Sequence, residues 1–324
     1  SIFAILALGL ALSVQDLLSI GQFILLLGFV SEFYPDLWSL MMGFRDIAKN
    51  YEDITRYYGL LNNLVEIKDP KNPVSLENID GEIRFDKVSF SYKEGSRKAV
   101  DRIDLTIRQG QSIALVGRSG SGKTTLTKLL MRFYDVGGGE ITIDRVNVKD
   151  MAKSTLRSYM GVVPQEPIMF NNTVAYNIGY GKATATRKEI RAAAKMANLH
   201  AFIETLSKKY NTNVGERGVK LSGGQKQRLA IARMILSDPE IIVFDEATSQ
   251  LDSENERKIQ DAFWKVSANK TTIIIAHRLS TAMRADKIVV MNKGKITESG
   301  SHKTLLANPE SLYKKFWDLQ TNVD

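Results

Sequence analysis

Residues 117–125 read GRSGSGKTT, and this nonapeptide decides the fold of the larger part of the chain. It fits G-x-x-x-x-G-K-[ST], the loop that wraps nucleotide phosphates. Ser112, Ile113, Ala114, Leu115 and Val116 before it form a short apolar run that suits a buried strand. Thr124 to Phe133 after it predicts a helix with Leu126, Leu129, Leu130 and Phe133 on one face. Strand, loop and helix in this order let consecutive backbone N–H groups of Gly117, Arg118, Ser119, Gly120, Ser121 and Gly122 turn inward, while the helix start at Lys123, Thr124 and Thr125 adds partial positive charge. Lys123 then reaches the β- and γ-phosphates, and the Thr124 hydroxyl is placed to hold Mg²⁺. A plain glycine-rich turn between strand and helix is the competing reading.

Working outward, 324 residues with 44% apolar and 25% charged composition suffice for one large or two modest folded domains. The absence of cysteine excludes disulfides, thiolate metal sites and a cysteine nucleophile. The net charge of +8 is spread along the chain without a dense basic block, so no nucleic-acid partner is expected.

The basic residues are distributed unevenly at the N-terminal side. Residues 1–44 contain no Lys or Arg; Arg45, Lys49, Arg56, Lys68 and Lys71 follow directly. This is the pattern of a segment leaving a membrane on its cytoplasmic side. Ser1 to Val14 is apolar but too short for a ~30 Å hydrocarbon core, and reads as the tail of a spanning helix rather than as a signal peptide, lacking an initiating Met and a basic flank. Gln15 and Asp16 mark a short turn. Leu17 to about Met42 is long enough to cross a bilayer. Within it Glu32 and Asp36 share one helix face, lining a translocation path or lying near the cytoplasmic interface. Phe44 to Val65 continues as an amphipathic helix, and Glu66 to Asp80, with Pro70 and Pro73, reads as a linker. The expected organisation is a partial membrane domain over 1–67, a linker over 68–80 and a second domain over 81–324.

In the second domain, strand-like alternation over 81–116 gives way to helices alternating with apolar strands at 161–163, 241–244, 271–276 and 286–291, an α/β pattern with a largely parallel sheet. Residues 173–236 hold helical stretches and no convincing strand. Ile241 to Glu246, IIVFDE, is a buried strand ending in two acids. In a phosphate-loop enzyme the acid at the end of a neighbouring strand completes the Mg²⁺ shell, which suits Asp245. Glu246 then polarises the attacking water as general base. Leu221 to Gln225, LSGGQ, precedes a helix: Ser222 suits its N-cap, and Gly223 and Gly224 expose backbone N–H groups, a second anion site beside Gln225.

With these motifs the chain resembles the nucleotide-binding domain of an ABC transporter, whose hallmark is LSGGQ. The resemblance implies an α/β P-loop fold with a mixed sheet core, an antiparallel β subdomain and a helical subdomain, preceded by an α-helical transmembrane fragment. It also implies further roles. Tyr92 in SFSY stacks on adenine, and Gln165 in VVPQEP touches Mg²⁺ and the attacking water. Asp252 lies in SQLD, where Gln250 departs from the usual alanine, and His277 in IIIAHR contacts the γ-phosphate. His200 and His302 match no motif and are expected at the surface.

Over nearly the whole chain the likeness is to an exporter half-transporter, with 1–65 similar to the end of the fifth and all of the sixth membrane helix and VGERG (Val214 to Gly218) to the loop that contacts the membrane domain. FNNTVAYNIGYG (Phe170 to Gly181) and VGERGVKLSGGQ lean towards the mitochondrial-type branch of metal and glutathione-conjugate exporters, and lipid flippases and multidrug exporters share these motifs. What this implies is ATP and Mg²⁺ as cofactors and a second copy or homologous half-transporter as partner, joined head to tail through ATP between Lys123 of one chain and Ser222 of the other. Residues 1–44 would lie in a bilayer with the ATPase domain in the cytoplasm or an organelle matrix, and the transported substrate is not readable. A soluble ABC ATPase acting on nucleic acid or ribosomes should lack residues 1–44. A non-hydrolysing regulatory domain should lack Glu246 or His277.

Overall fold

A computed structural model of the chain describes residues 2–61, 66–92, 97–245, 253–276 and 278–321. The chain divides into two compact units, Ser1–Glu66 and Ile67–Asp324.

The first unit is a helical hairpin. α1 (Ile2–Val14) and α2 (Ile20–Leu61) are joined by a turn in which Asp16 takes a left-handed φ of 58°. Ser19 caps α2 reciprocally with Gln22: Ser19 N donates to Gln22 Oε1 at 2.9 Å and Gln22 N to Ser19 Oγ at 3.3 Å. Gly9 lets the helices approach, since a Cβ there would meet Leu26 at 3.0 Å and Phe23 at 3.1 Å. The apolar stretch and its amphipathic extension are one continuous helix of 42 residues, about 63 Å long at 1.5 Å per residue. It is long and apolar enough to cross a membrane, and none of its residues is buried.

The second unit holds two sheets. In chain order its strands are β1 (Ile83–Phe90), β2 (Val100–Ile107), β3 (Ser112–Val116), β4 (Gly138–Ile143), β5 (Val146–Asn147), β6 (Met160–Val163), β7 (Ile241–Asp245), β8 (Thr271–Ile275), β9 (Lys287–Asn292) and β10 (Lys295–Gly300). One sheet is antiparallel, ordered β2-β1-β4-β5. The other is ordered β10-β9-β3-β8-β7-β6, parallel from β9 to β6 with β10 antiparallel at its edge. The helices are α3 (Lys123–Leu130), α4 (Lys153–Ser158), α5 (Val174–Gly179), α6 (Arg187–Met196), α7 (His200–Thr205), α8 (Gly223–Ser237), α9 (Ser253–Val266), α10 (Leu279–Ala282), α11 (His302–Ala307) and α12 (Leu312–Thr321). Between 173 and 236 the described residues form helices joined by turns and loops, with one isolated bridge, Thr173 to Asn213.

β3 is buried along its whole length because it carries core on both faces. Its alternate residues divide between two apolar clusters. Ala114 and Val116 join the cluster formed with Val174, Ile178, Leu229, Ile231 and Phe263 from the helices. Ile113 and Leu115 join the one that holds α3 (Leu126, Leu129, Leu130) against the antiparallel sheet (Ile83, Phe85, Ile141). α3 is thus clamped between the two sheets.

Two sequence expectations are corrected. Phe133 does not continue the apolar face of α3: the helix ends at Leu130, Arg132 takes a φ of 51°, and Phe133 is exposed with the Arg157 guanidinium 4.6 Å from its ring centre. His200 and His302, expected at the surface, are half-buried and hydrogen-bonded. His200 Nδ1 lies 2.8 Å from the Tyr210 hydroxyl, and His302 Nδ1 lies 2.8 Å from that of Tyr313. Burial pushes the His302 imidazole down and the Tyr313 phenol up to about 12.

Candidate nucleotide site

Parallel strands in register bring the candidate residues to one edge. Leu115 of β3 pairs with Ile275 of β8, and Ile275 pairs with Asp245 of β7. Asp245 therefore stands level with the end of β3, where the 117–125 loop begins. Val163 at the end of β6 pairs with Phe244, which puts Gln165, two residues on and exposed, at the same edge. This carboxyl-end crevice is where open α/β sheets bind ligands.

The loop is held by backbone contacts from distant segments. A Cβ on Gly117 would lie 2.2 Å from Met291 O of β9, and one on Gly122 would lie 2.5 Å from Ala99 O. Both residues have positive φ, 154° and 106°. A turn on the far side completes the support: Gly294 N donates to Ser121 O at 3.0 Å, and Asp101 N donates to Gly294 O at 2.8 Å. Ala99, Met291 and Gly294 were missed in the sequence because they are distant in the chain and carry no motif.

Lys123 opens α3 and is 6% exposed. Its Nζ donates to Gly117 O at 2.7 Å and Arg118 O at 3.1 Å, so the ammonium is folded over its own loop. Burial pushes its pKa down, and the Asp245 charge opposes that shift. Ser121 Oγ is buried without a hydrogen-bond partner among the described residues. A desolvated ammonium, an orphaned hydroxyl and a loop of positive-φ glycines fit a phosphate, which supplies acceptors to both side chains. Thr124 is exposed at the mouth, whereas Thr125 is buried and its hydroxyl lies 3.0 Å from that of Tyr92. Tyr92, 47% exposed, packs edge-on against Phe90 and Tyr134 and leaves ring surface beside the loop.

The LSGGQ segment is built separately. Ser222 caps the 15-residue α8 through a reciprocal pair: Gln225 N donates to Ser222 Oγ at 3.3 Å, and Ser222 N donates to Gln225 Oε1 at 2.9 Å. Ser222 and Gly223 are exposed and Gly224 is buried. The helix start thus faces outward, fixed in place by Leu229, Ala230 and Ile231 in the core. Glu246, Asp252 and His277, with the SQLD segment, lie outside the described residues.

The ABC transporter family profile matches residues 100–249. ATP-binding cassette sub-family B member 6 of Rattus norvegicus is 45% identical over 303 residues, covering 94% of this chain and 36% of the relative. "Iron-sulfur clusters transporter ABCB7, mitochondrial" of Homo sapiens is 41% identical over 311 residues, covering 95% of this chain and 41% of the relative. A solved bacterial Atm1-family ABC exporter with ATP bound is similar at a TM-score of 0.78 and 38% identity, over 98% of this chain and 55% of that one. The chain spans 36% to 41% of the length of these two curated relatives. With the phosphate loop, the level acid at the end of β7 and the outward-facing LSGGQ helix in one α/β unit, the chain carries the ATP-binding domain of the ABC transporter family.

Proposed function

We propose that the chain is part of an exporter half-transporter in which ATP hydrolysis, by a head-to-tail pair of ATPase domains, drives an unidentified substrate across a membrane. The observation that supports this reading is that one chain holds two separate helix starts suited to an anion: the loop before α3, and the exposed Ser222–Gly223 start of α8. A phosphate suits each. A second copy or a homologous half-transporter serves both, with its Ser222 facing the nucleotide that Lys123 holds.

In this reading each residue has its own role. Lys123 and the loop N–H groups of 117–122 hold the phosphates, and Tyr92 offers its ring to the base. Thr124, Asp245 and Gln165 would hold Mg²⁺ through their side-chain oxygens. Mg²⁺ when bound would neutralise charge developing on the phosphoryl group. Glu246 accepts the proton of the attacking water, and His277, Gly224, Gln225 and Asp252 complete the closed site. Residues 1–67 contribute to the membrane domain: α2 is long and apolar enough to cross a bilayer, and basic residues begin at Arg45. The ATPase domain then lies in the cytoplasm or an organelle matrix. The bounds 68–80 for the connecting segment and 81–324 for the ATPase domain belong to the same reading.

The test is the ATP hydrolysis rate per chain against protein concentration, with Lys123→Ala and Glu246→Gln beside it. The rate should rise with concentration and vanish in both variants. Lys123→Ala should fail to bind ATP, and Glu246→Gln should bind it and accumulate as a dimer. Rapid turnover by Glu246→Gln would overturn the assigned base.

A further inference from the structure

Segment 67–76 is stitched to two parts of the nucleotide site at once. At its start stands Arg132, two residues past the end of α3. Its guanidinium is buried and serves three acceptors: Nη2 donates to Lys68 O at 2.9 Å, Nη1 to Met151 O at 3.1 Å and Nε to Asp135 Oδ1 at 3.0 Å. Beside it, Lys153 N donates to Asp69 Oδ1 at 2.9 Å, and Lys153 Nζ donates to the carbonyl of Ile67. At the other end, Val74 N donates to Asp150 O at 2.8 Å. The Tyr159 hydroxyl donates to Leu76 O at 3.0 Å and accepts from Leu76 N at 3.2 Å. Tyr159 directly precedes β6, which leads to Gln165, and its carbonyl accepts from Ile241 N, the first residue of β7, which ends at Asp245.

We propose that segment 67–76 is a nucleotide-responsive strap and that Arg132 is the positioning residue coupling it to the phosphate loop. The proposal rests on the reading that 117–125 binds ATP. α3 is a rigid body, because Leu126, Leu129 and Leu130 are locked in the core. A pull on Lys123 at one end therefore arrives at the other, where Arg132 sits. A desolvated guanidinium cannot release one acceptor without leaving a buried donor unpaired, so the Lys68 carbonyl follows it. Fork geometry is what joins the three acceptors, and a lysine cannot reproduce it. The strap is also the covalent continuation of the N-terminal unit, which ends at Glu66. The Arg132 hydrogen bond to Lys68 O therefore joins the end of α3 to the piece of chain that follows directly on that unit.

Hydrogen exchange read by mass spectrometry on the intact protein, with and without ATP and Mg²⁺, tests this. In the wild type, ATP should slow exchange at 117–125 and, by about threefold or more, at the amides of 67–76. Arg132→Lys should keep the protection at 117–125 and lose the ATP-dependent change at 67–76. A strap indifferent to ATP in the wild type, or equally responsive in Arg132→Lys, overturns the proposal. If ATP leaves 117–125 itself unchanged, the nucleotide-binding reading falls with it. Lys153→Ala decides the case if Arg132→Lys does not fold. It frees the Ile67 carbonyl but leaves Arg132 intact, so strap exchange should quicken with the ATP-dependent ratio preserved. Loss of that ratio would move the coupling to Lys153 and refute the role of Arg132.

Discussion

Gly122 and Ala99 meet backbone to backbone: a Cβ on Gly122 would sit 2.5 Å from the Ala99 carbonyl oxygen. Gly120, two residues earlier, has a φ of 73° but nothing within 4 Å of its would-be Cβ. The two glycines are therefore required for different reasons. Gly120→Ala should lose only the left-handed penalty, about 1–2 kcal/mol. Gly122→Ala adds a clash with backbone that cannot rotate away and should cost about 3 kcal/mol or more together with ATP binding. Denaturant unfolding and nucleotide titration of both variants check this, and equal losses would sink the distinction.

Ser222 has two separable tasks. As N-cap of α8 it is worth about 1 kcal/mol, so Ser222→Ala should lower stability by that amount and also slow ATP hydrolysis. Ser222→Asp keeps the cap but turns a carboxylate toward the phosphate expected from the paired chain. Its stability should match the wild type while hydrolysis is abolished. If Ser222→Asp hydrolyses ATP normally, Ser222 does not face the nucleotide.

Glu189 sets an acid-side limit on α6. The Lys182 ammonium, then the Thr186 backbone N–H and hydroxyl, lower its pKa from 4.5 to about 2. The folded value is the lower one, so the stabilisation is complete above 4.5 and disappears as pH falls through about 2. Over that window wild-type α6 should lose protection against hydrogen exchange more steeply than Glu189→Gln does. Identical slopes would refute the linkage.

Ser112 and Asp286 lock the starts of β3 and β9 at the end of the sheet away from the phosphate loop. The Asp286 carboxylate accepts from Ser112 N at 2.8 Å and Ser112 Oγ at 2.6 Å, and Ser112 Oγ accepts from Asp286 N at 3.0 Å. Ser112→Ala should cost about 1–3 kcal/mol in unfolding free energy. ATP affinity should stay unchanged, because the loop is held from Met291 and Ala99 instead. A matching loss of affinity would show that the loop depends on this lock.

The parts that were legible in the chain are those whose residue types report their own surroundings. Ile241–Asp245 and Thr271–Ile275 read as strands because a strand buried on both faces is apolar throughout. The loop at 117–125 was legible because glycines and a lysine at fixed spacing build that cradle. β4 and β10 were not read: Gly138–Ile143 opens on two glycines, and Lys295–Gly300 is an edge strand whose side chains alternate between half-buried and exposed, leaving no apolar pattern. Glu66 to Asp80 read as a linker because prolines and polar residues describe a backbone without regular structure. They say nothing of the Arg132, Lys153 and Tyr159 hydrogen bonds that hold it.

By itself the sequence determined the chemistry available: a lysine in a glycine loop, acids at a strand end, a capped LSGGQ helix and an apolar N-terminal segment. Only the tertiary structure decided which of these meet. Asp245 stands level with the end of β3 through the register of β3, β8 and β7, Met291 and Ala99 brace the phosphate loop, and Arg132 ties α3 to Lys68. The reason is physical: periodicity records which face of an element is buried, a local property. Strand register and backbone contact between residues far apart in the chain arise only when those faces pack against one another.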